Sequence, residues 1–212
     1  MIDFTTTATA RPDILYKTYK SFNNHLKDID LKNCTLYINI DPVPELVDRN
    51  EVLAVAESFF GVVVANMPAK PNFTAAYNWI WDNAKSDYIF NLEDDWVLIE
   101  DISINKLLKI ANRSNEIYAV PLRAYSYVYD KASLSPSLLS RKFYGAVGGN
   151  LDISKNPEIQ LRGNAFGLEL GQDKVYAYPK HVVVKDIGRE WIKNQPFKRP
   201  GIKSEFNAWV MK

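Results

Sequence analysis

Hydrophobic and polar positions along the first half of the chain switch repeatedly between a strand-like and a helix-like period, the signature of an α/β sheet with crossover helices. Residues 2–7, rich in threonine and apolar side chains, predict a first strand. Ala10-Arg11-Pro12 breaks it, and Pro12 suits the first turn of a helix, where its missing N–H costs nothing. Leu15, Tyr19, Phe22 and Leu26 then recur at spacings of three and four, one buried stripe. Residues 34–40 predict a second strand, which Asp41-Pro42 ends because proline cannot donate to a ladder. A second helix over Arg49–Phe59 is expected to bury Leu53, Ala56 and Phe60, with Gly61 stopping it and Val62-Val63-Val64 forming a third strand. A third helix starting near Asn72 carries Phe73, Ala76, Tyr77, Ile80 and Ala84 on its core face, flanked by Trp79 and Trp81 at the core edge. The apolar run 88–92 is the fourth strand, followed by a short helix with Leu107, Leu108 and Ala111 and a strand over 117–122.

Beyond Arg123 the periodicity weakens. Residues 124–129 alternate, 133–140 are polar and predict a loop, and 144–150 are glycine-rich and predict a tight turn or a close backbone approach to substrate. Two late strands are expected over 175–178 and 181–184, and the basic, proline-containing stretch 193–203 is expected to be irregular.

Composition narrows the classes. A chain of 212 residues with no internal repeat or linker predicts one domain. Its 47% hydrophobic and 24% charged residues place it among globular proteins. A net charge of +1 argues against a general nucleic-acid binder or a polybasic membrane binder. Cys34 is the sole cysteine, so the chain has no intrachain disulfide and no thiolate metal site. No run approaches membrane-spanning length and the start lacks a signal-peptide pattern, so a cytoplasmic protein is expected. The last residues, 204–212, are helix-compatible without a stop, which suggests one domain of a longer protein.

The chemistry concentrates where the fourth strand stops in Glu93-Asp94-Asp95-Trp96. In an extended backbone Glu93 and Asp95 point together and Asp94 away. Converging carboxylates repel unless a cation compensates them. Mg2+ or Mn2+ suits that role, binding one or two protein carboxylates and completing its shell with water and phosphate oxygens. The plainer alternative is a solvated acidic turn. In open α/β sheets ligands sit at the carboxyl ends of strands. Four polar clusters fall there: Thr5-Thr6-Thr7 with Arg11, then Asp41, then Lys70 with Asn72, then the acidic turn. Asp41 can accept from a base imide N–H or a ribose hydroxyl, while Arg11 and Lys70 can meet a diphosphate. The glycine-rich dinucleotide fingerprint and the phosphate loop are absent after the first strand. A sugar nucleotidylyltransferase would carry a glycine-rich loop where this chain has Thr-Ala-Thr-Ala-Arg-Pro. His25 and His181 lack zinc spacing and are expected to be structural.

That order of features, a threonine strand with Arg-Pro, a strand-end Asp, an Asn-bearing helix and an apolar strand into Glu-Asp-Asp, resembles the GT-A fold glycosyltransferases. It is most similar in flavour to those of large algal (chlorella-type) viruses, over residues 2–96. The resemblance implies a GT-A-like (Rossmann-like) central mixed, mostly parallel sheet flanked by helices, with a less regular C-terminal acceptor-side part. Residues 1–96 would be the nucleotide-binding half and 97–212 the acceptor-side half. It implies Thr5, Thr7, Arg11 and Asp41 on the nucleoside, and Lys70, Asn72 and Asn78 along the ribose and diphosphate. Glu93-Asp94-Asp95 resembles a variant of the metal-binding DXD motif, with Asp94 facing ribose or donor sugar and Asp95 on Mn2+ or Mg2+. Glu93 is a further candidate ligand, and Asp186 stands where many relatives supply a histidine.

Inverting members use an acceptor-side carboxylate to deprotonate the attacking hydroxyl. Glu169, with apolar neighbours and flanking glycines, is preferred over Asp173 beside Lys174, and Asp152 is an outsider. Tyr125, Tyr127, Tyr129 and Trp191 suit sugar or acceptor platforms, or ordinary packing. The implied activity is metal-dependent transfer of a hexose or deoxyhexose from a nucleoside-diphosphate sugar, UDP-sugar above others, to a hydroxyl of a glycan or glycoprotein. A non-catalytic sugar- or nucleotide-binding module is the alternative.

Overall fold

The computed structural model describes residues 2–43, 47–113, 117–122, 134–147, 150–162, 175–176, 178–193, 195–198 and 210–211. Strand β1 (Ile2–Thr9) is buried along its whole length, as expected of a central strand covered on both faces. Pro12 opens helix α1 (Pro12–His25), which buries Leu15, Tyr19 and Phe22. Strand β2 (Thr35–Asp41) follows, then α2 (Arg49–Phe59), whose first turn is capped by Asp48 accepting from the Asn50 N–H. Strand β3 (Val62–Asn66), α3 (Phe73–Asn83) and β4 (Tyr88–Asn91) complete the first half. The second half contributes β5 (Trp96–Leu98), α4 (Ile104–Ala111), β6 (Ala119–Pro121), β7 (Ser137–Ser140), α5 (Arg141–Val147), α6 (Pro157–Arg162), β8 (Val184–Asp186) and α7 (Gly188–Lys193).

The main sheet has six strands in the order β3-β2-β1-β4-β7-β6. The first four run parallel, and β7 lies antiparallel to both β4 and β6. This is the mixed, mostly parallel sheet flanked by helices that the sequence predicts. Each face has its own core. Phe90 and Leu138 join Phe4, Leu15, Tyr19 and Phe22 on one side. Ile89 and Leu139 join Tyr77, Trp81, Phe143 and Tyr144 on the other. Trp81 is therefore core rather than core edge, and its Nε1 donates to Asn91 Oδ1 at 3.2 Å. Outside the main sheet, β5 and β8 form an antiparallel ribbon with Asp186 opposite Trp96.

Several expectations change. β1 runs to Thr9 rather than residue 7, which carries its end further into the sheet edge. The polar stretch expected as a loop holds β7, because Leu138 and Leu139 enter opposite cores and the two serines only bracket them. The expected glycine turn is helix α5 up to Val147, since Phe143, Tyr144 and Val147 share a buried helical face; Gly148 and Gly149 lie outside the described residues. Of the late strands, Val175 makes only an isolated bridge to Ala119, and the second lies three residues later than expected, over Val184–Asp186. The stretch expected to be irregular includes Phe197–Lys198, paired with Val210–Met211. Among the described residues no helix is long and apolar enough to cross a membrane.

Candidate active site

The chain moves from β1 outward through β2 to β3, then returns to place β4 on the other side of β1. Crevices at such a reversal, beyond the carboxyl ends of the strands, are where open α/β sheets bind ligands. Four of the sequence-predicted residues, Arg11, Asp41, Asp94 and Asp95, lie along this edge.

After β4 the backbone first stays against β1, with the Leu92 N–H donating to Thr5 O at 2.9 Å and the Asp94 N–H to Thr7 O at 3.3 Å. It then turns at Asp94-Asp95. The alternation that would pair Glu93 with Asp95 is lost there, because it holds only while the backbone is extended. Asp94 and Asp95 instead share Arg11, and Glu93 turns aside to accept from Trp96 Nε1 at 2.9 Å.

Asp94 is the most heavily bonded carboxylate of the edge. Its Oδ2 accepts from the Thr9 N–H at 2.9 Å, the Thr9 hydroxyl at 3.2 Å and Arg11 Nε at 3.2 Å. Its Oδ1 accepts from Arg11 Nη2 at 2.5 Å. The Thr18 hydroxyl of α1 holds its backbone carbonyl at 2.7 Å. Burial pushes the Asp94 carboxyl up, and the Arg11 charge is its main counterweight. For Arg11 burial acts downward, but Asp94 and Asp95 outweigh it and keep the guanidinium protonated, raised above its ordinary value. The guanidinium also lies over the Trp191 ring, 5.0 Å from its centroid, a cation–π contact from α7.

Asp95 is held more lightly. Among the described residues its carboxylate has one long hydrogen bond, 3.3 Å from Arg11 Nη2, while its backbone carbonyl accepts from the Ile187 N–H at 2.8 Å. Gly188 packs directly against it. A Cβ at that position would sit 2.0 Å from Asp95 Oδ2, so only glycine fits without moving the carboxylate.

Asp41 ends β2, and the β1 and β2 ends are tied together by the Ala10 N–H donating to Val43 O at 2.8 Å. Asp41 Oδ1 accepts from Asn39 Nδ2 at 2.8 Å, and Asn39 Oδ1 accepts from Asn66 Nδ2 at 2.7 Å. Burial raises the Asp41 carboxyl to about 6, against hydrogen bonds from Asn39 and the Asn72 backbone and the charge of Arg49.

Other predicted residues lie elsewhere or do other work. Thr5 sits inside β1, wholly buried, its hydroxyl donating to Asn91 Oδ1 at 3.2 Å, so it does not reach the edge. Thr7 is buried too and contributes its carbonyl to the acidic turn. Asn72 caps α3, accepting from the Ala75 N–H at 2.9 Å and donating to Ile153 O at 3.2 Å. Asn78 is consumed by the Leu151 backbone, donating at 2.8 Å and accepting at 3.0 Å. Both amides bind α3 to the 151–155 segment instead of facing a ligand. Lys70 is exposed on the loop before α3. Asp186 is engaged by Arg189, through Nε at 2.8 Å and the backbone N–H at 3.2 Å. The outsider Asp152 is exposed and held low, at about 2, by hydrogen bonds from Ser154 and by Lys155, which makes it a poor base. Glu169, Asp173, Tyr125, Tyr127 and Tyr129 lie outside the described residues. Sequence reasoning missed Thr9, Thr18, Asn39 and Gly188; Thr9 continues the alternation of Thr5 and Thr7, a signal that was present.

The donor set suits a hard divalent ion in kind: two adjacent carboxylates suffice when substrate phosphates complete the shell. Among the described residues no three His, Cys, Asp or Glu side chains converge on one point. The described residues therefore do not form a complete protein cage, and of the two adjacent carboxylates Asp95 is the one with fewer hydrogen bonds to give up.

No protein-family profile matches this chain, and no curated protein matches it by sequence. Solved structures match it by fold. The mannosyltransferase PcManGT from Pyrobaculum calidifontis, in complex with GDP-Man and Mn2+, is similar at a TM-score of 0.64 and 9% identity, over 87% of this chain and 56% of that one. S. aureus TarS 1-349 in complex with UDP-GlcNAc matches at 0.56 and 9% identity, over 86% and 58%. Glucosyl-3-phosphoglycerate synthase from Mycobacterium tuberculosis, with Mn2+, UDP and glucosyl-3-phosphoglycerate, matches at 0.57 and 13% identity, over 84% and 68%. The chain spans a little over half the length of the first two. None of the three sources is a virus. At these identities the likeness shows the fold, and the chain has the GT-A-like architecture.

Proposed function

We propose that this chain is the donor-binding and catalytic domain of a glycosyltransferase that moves a hexose or deoxyhexose from a UDP-sugar to a hydroxyl of a glycan or glycoprotein. The observation that carries this reading is the row Asp41, Arg11, Asp94, Asp95 along the switch-point edge. It offers an acceptor for a base, a cation for a diphosphate and carboxylates for a metal, in the order a nucleoside-diphosphate sugar needs them. The GDP-Man, UDP-GlcNAc and UDP bound by structural neighbours support it.

In this reading Asp41, ionised above about pH 6, accepts the imide N–H of uracil, and Asn39 with Asn66 fixes which oxygen is left for the base. Arg11 meets the diphosphate, and Asp94 holds the end of β1 in place through Thr9. Asp95 would hold Mn2+ or Mg2+, which would supply Lewis-acid neutralisation of the departing diphosphate. Glu93 and Asp186 stand beside it with partners of their own, Trp96 and Arg189. Residues 97–212 form the acceptor side. There Glu169, with Asp173 as the second choice, takes the proton of the acceptor hydroxyl. As the new oxygen–C1 bond forms, the C1–phosphate oxygen bond breaks on the opposite face, UDP leaves with the electron pair, and the anomeric configuration inverts.

Calorimetric titration with UDP-glucose, UDP-GlcNAc and GDP-mannose in Mn2+, followed by an assay of nucleotide release, tests the proposal. Binding of a UDP-sugar with slow UDP release is expected. Failure of every sugar nucleotide to bind would refute the donor site, and binding with no release to water or any acceptor would favour a binding module.

A further inference from the structure

The two carboxylates suited to a metal are not waiting for one. Asp94, Asp95 and Arg11 are all nearly buried, at 4%, 4% and 3% exposure, and Arg11 is the one cation at ion-pair distance from both acids among the described residues. A protein that needed a metal bound in advance would leave its strongest ligands open. Here the guanidinium spans them, taking both oxygens of Asp94 and reaching Asp95.

We propose that Arg11 is an exchangeable counter-ion, which excludes a divalent cation from Asp94 and Asp95 in the free protein and passes to the diphosphate when the nucleotide arrives. Metal and nucleotide then bind only as a pair. This deepens the proposed function and rests on its assignment of the diphosphate to this edge.

Charge carries the argument. Two carboxylates and one guanidinium leave the free corner with a single net negative charge. A divalent ion arriving alone must sit beside a guanidinium it repels or displace it from a buried position. A nucleoside diphosphate sugar arriving alone brings two negative charges to a corner that is already negative. Arriving together they leave the net charge of the corner unchanged: Asp95 would hold the metal and the guanidinium would pass to the diphosphate. Buried charges are tolerated when paired, so each one-sided state is penalised and the joint state is not.

The setting of Arg11 permits the exchange. It is the residue before α1, at φ −130° and ψ 69°, and its side chain makes no capping bond to the helix that would fix it. The Trp191 face gives the guanidinium a contact that does not depend on the carboxylates. Asp94 keeps the two Thr9 hydrogen bonds when Arg11 leaves, so the acid nearest the strand stays in place through the exchange.

Manganese binding, read by loss of the free Mn2+ electron paramagnetic resonance signal, tests this without any turnover. On the unmodified protein, Mn2+ alone is expected to bind at least ten-fold more weakly than Mn2+ with saturating UDP. By linkage, UDP affinity rises by the same factor in Mn2+. Arg11→Met is expected to bind Mn2+ alone at least ten-fold tighter than the unmodified protein and to lose most of the coupling. Equal Mn2+ affinity with and without UDP overturns the proposal, on the unmodified protein, whether or not the variant folds. UDP binding that ignores Mn2+ overturns it as well; either result also removes the metal from the proposed site but leaves the assignment of the nucleotide to this edge standing. Failure of UDP to bind under every metal condition overturns both.

Discussion

Arg11 grips both oxygens of Asp94, with Nε donating to Oδ2 at 3.2 Å and Nη2 to Oδ1 at 2.5 Å, across the ends of β1 and the turn after β4. Their sequence separation is 83 residues, so the pair locks the first strand to the fourth. Removing one partner of a buried pair strands the other charge, at a cost of about 3–5 kcal/mol. Arg11→Ala is accordingly expected to lower the urea midpoint markedly, while the double change Arg11→Met with Asp94→Leu recovers part of the loss. A double variant no more stable than Arg11→Ala would mean that the pair contributes little beyond its geometry.

Asp41 gives the site a pH signature. Its folded pKa of about 6 lies above the ordinary 3.8, so the folded state binds more protons than the unfolded one between those values. Its contribution to stability is fully present below pH 3.8 and declines as pH rises through 6. The loss amounts to about 3 kcal/mol. Asp41→Asn is expected to be more stable than the unmodified protein at pH 7 and to lose that advantage towards pH 4. UDP affinity should run the other way, rising with pH through 6 in the unmodified protein and staying weak in the variant. Identical stability profiles for the two proteins would remove the buried-carboxyl account.

Gly188 is a positional constraint on Asp95. Because a Cβ would meet the carboxylate at 2.0 Å, Gly188→Ala must push Asp95 aside or shift the start of α7. Overpacking of this kind costs about 1–3 kcal/mol. The more telling expectation is functional: Mn2+-supported UDP binding at least ten-fold weaker, from a residue that itself carries no functional group. Unchanged binding would mean that the carboxylate position is not critical.

Much of this edge was legible in the sequence, and the exceptions have physical causes. Arg11, Asp41, Asp94 and Asp95 stand out because polar residues directly after apolar strands have few structural reasons to be there. The pairing of Asp95 with Asp94 rather than Glu93 was not legible, since alternation says nothing once the chain turns. Asn72 and Asn78 looked like ligand residues because their true partners, Ile153 and Leu151, are 81 and 73 residues away. Strand β7 was hidden by its length, four residues with a serine at each end, where two leucines feeding opposite cores leave no periodicity to detect.

The acceptor-side base follows from the proposed mechanism. Glu169→Gln keeps the shape of the side chain and removes its basicity, so UDP-sugar affinity should persist while transfer falls about 10²–10⁴-fold. Rapid-quench transfer assays beside calorimetry check this. Full turnover in the variant would move the role to Asp173.

In the proposed function Asp95 would hold a divalent ion against a nucleoside diphosphate at the β1–β4 switch point. Titrating UDP into Asp95→Ala and into the unmodified protein, each with Mn2+ and with chelator, tests it most directly. Mn2+-enhanced binding is expected in the unmodified protein and no enhancement in Asp95→Ala, with both proteins folded by circular dichroism. Equal Mn2+ enhancement in the two proteins would contradict it.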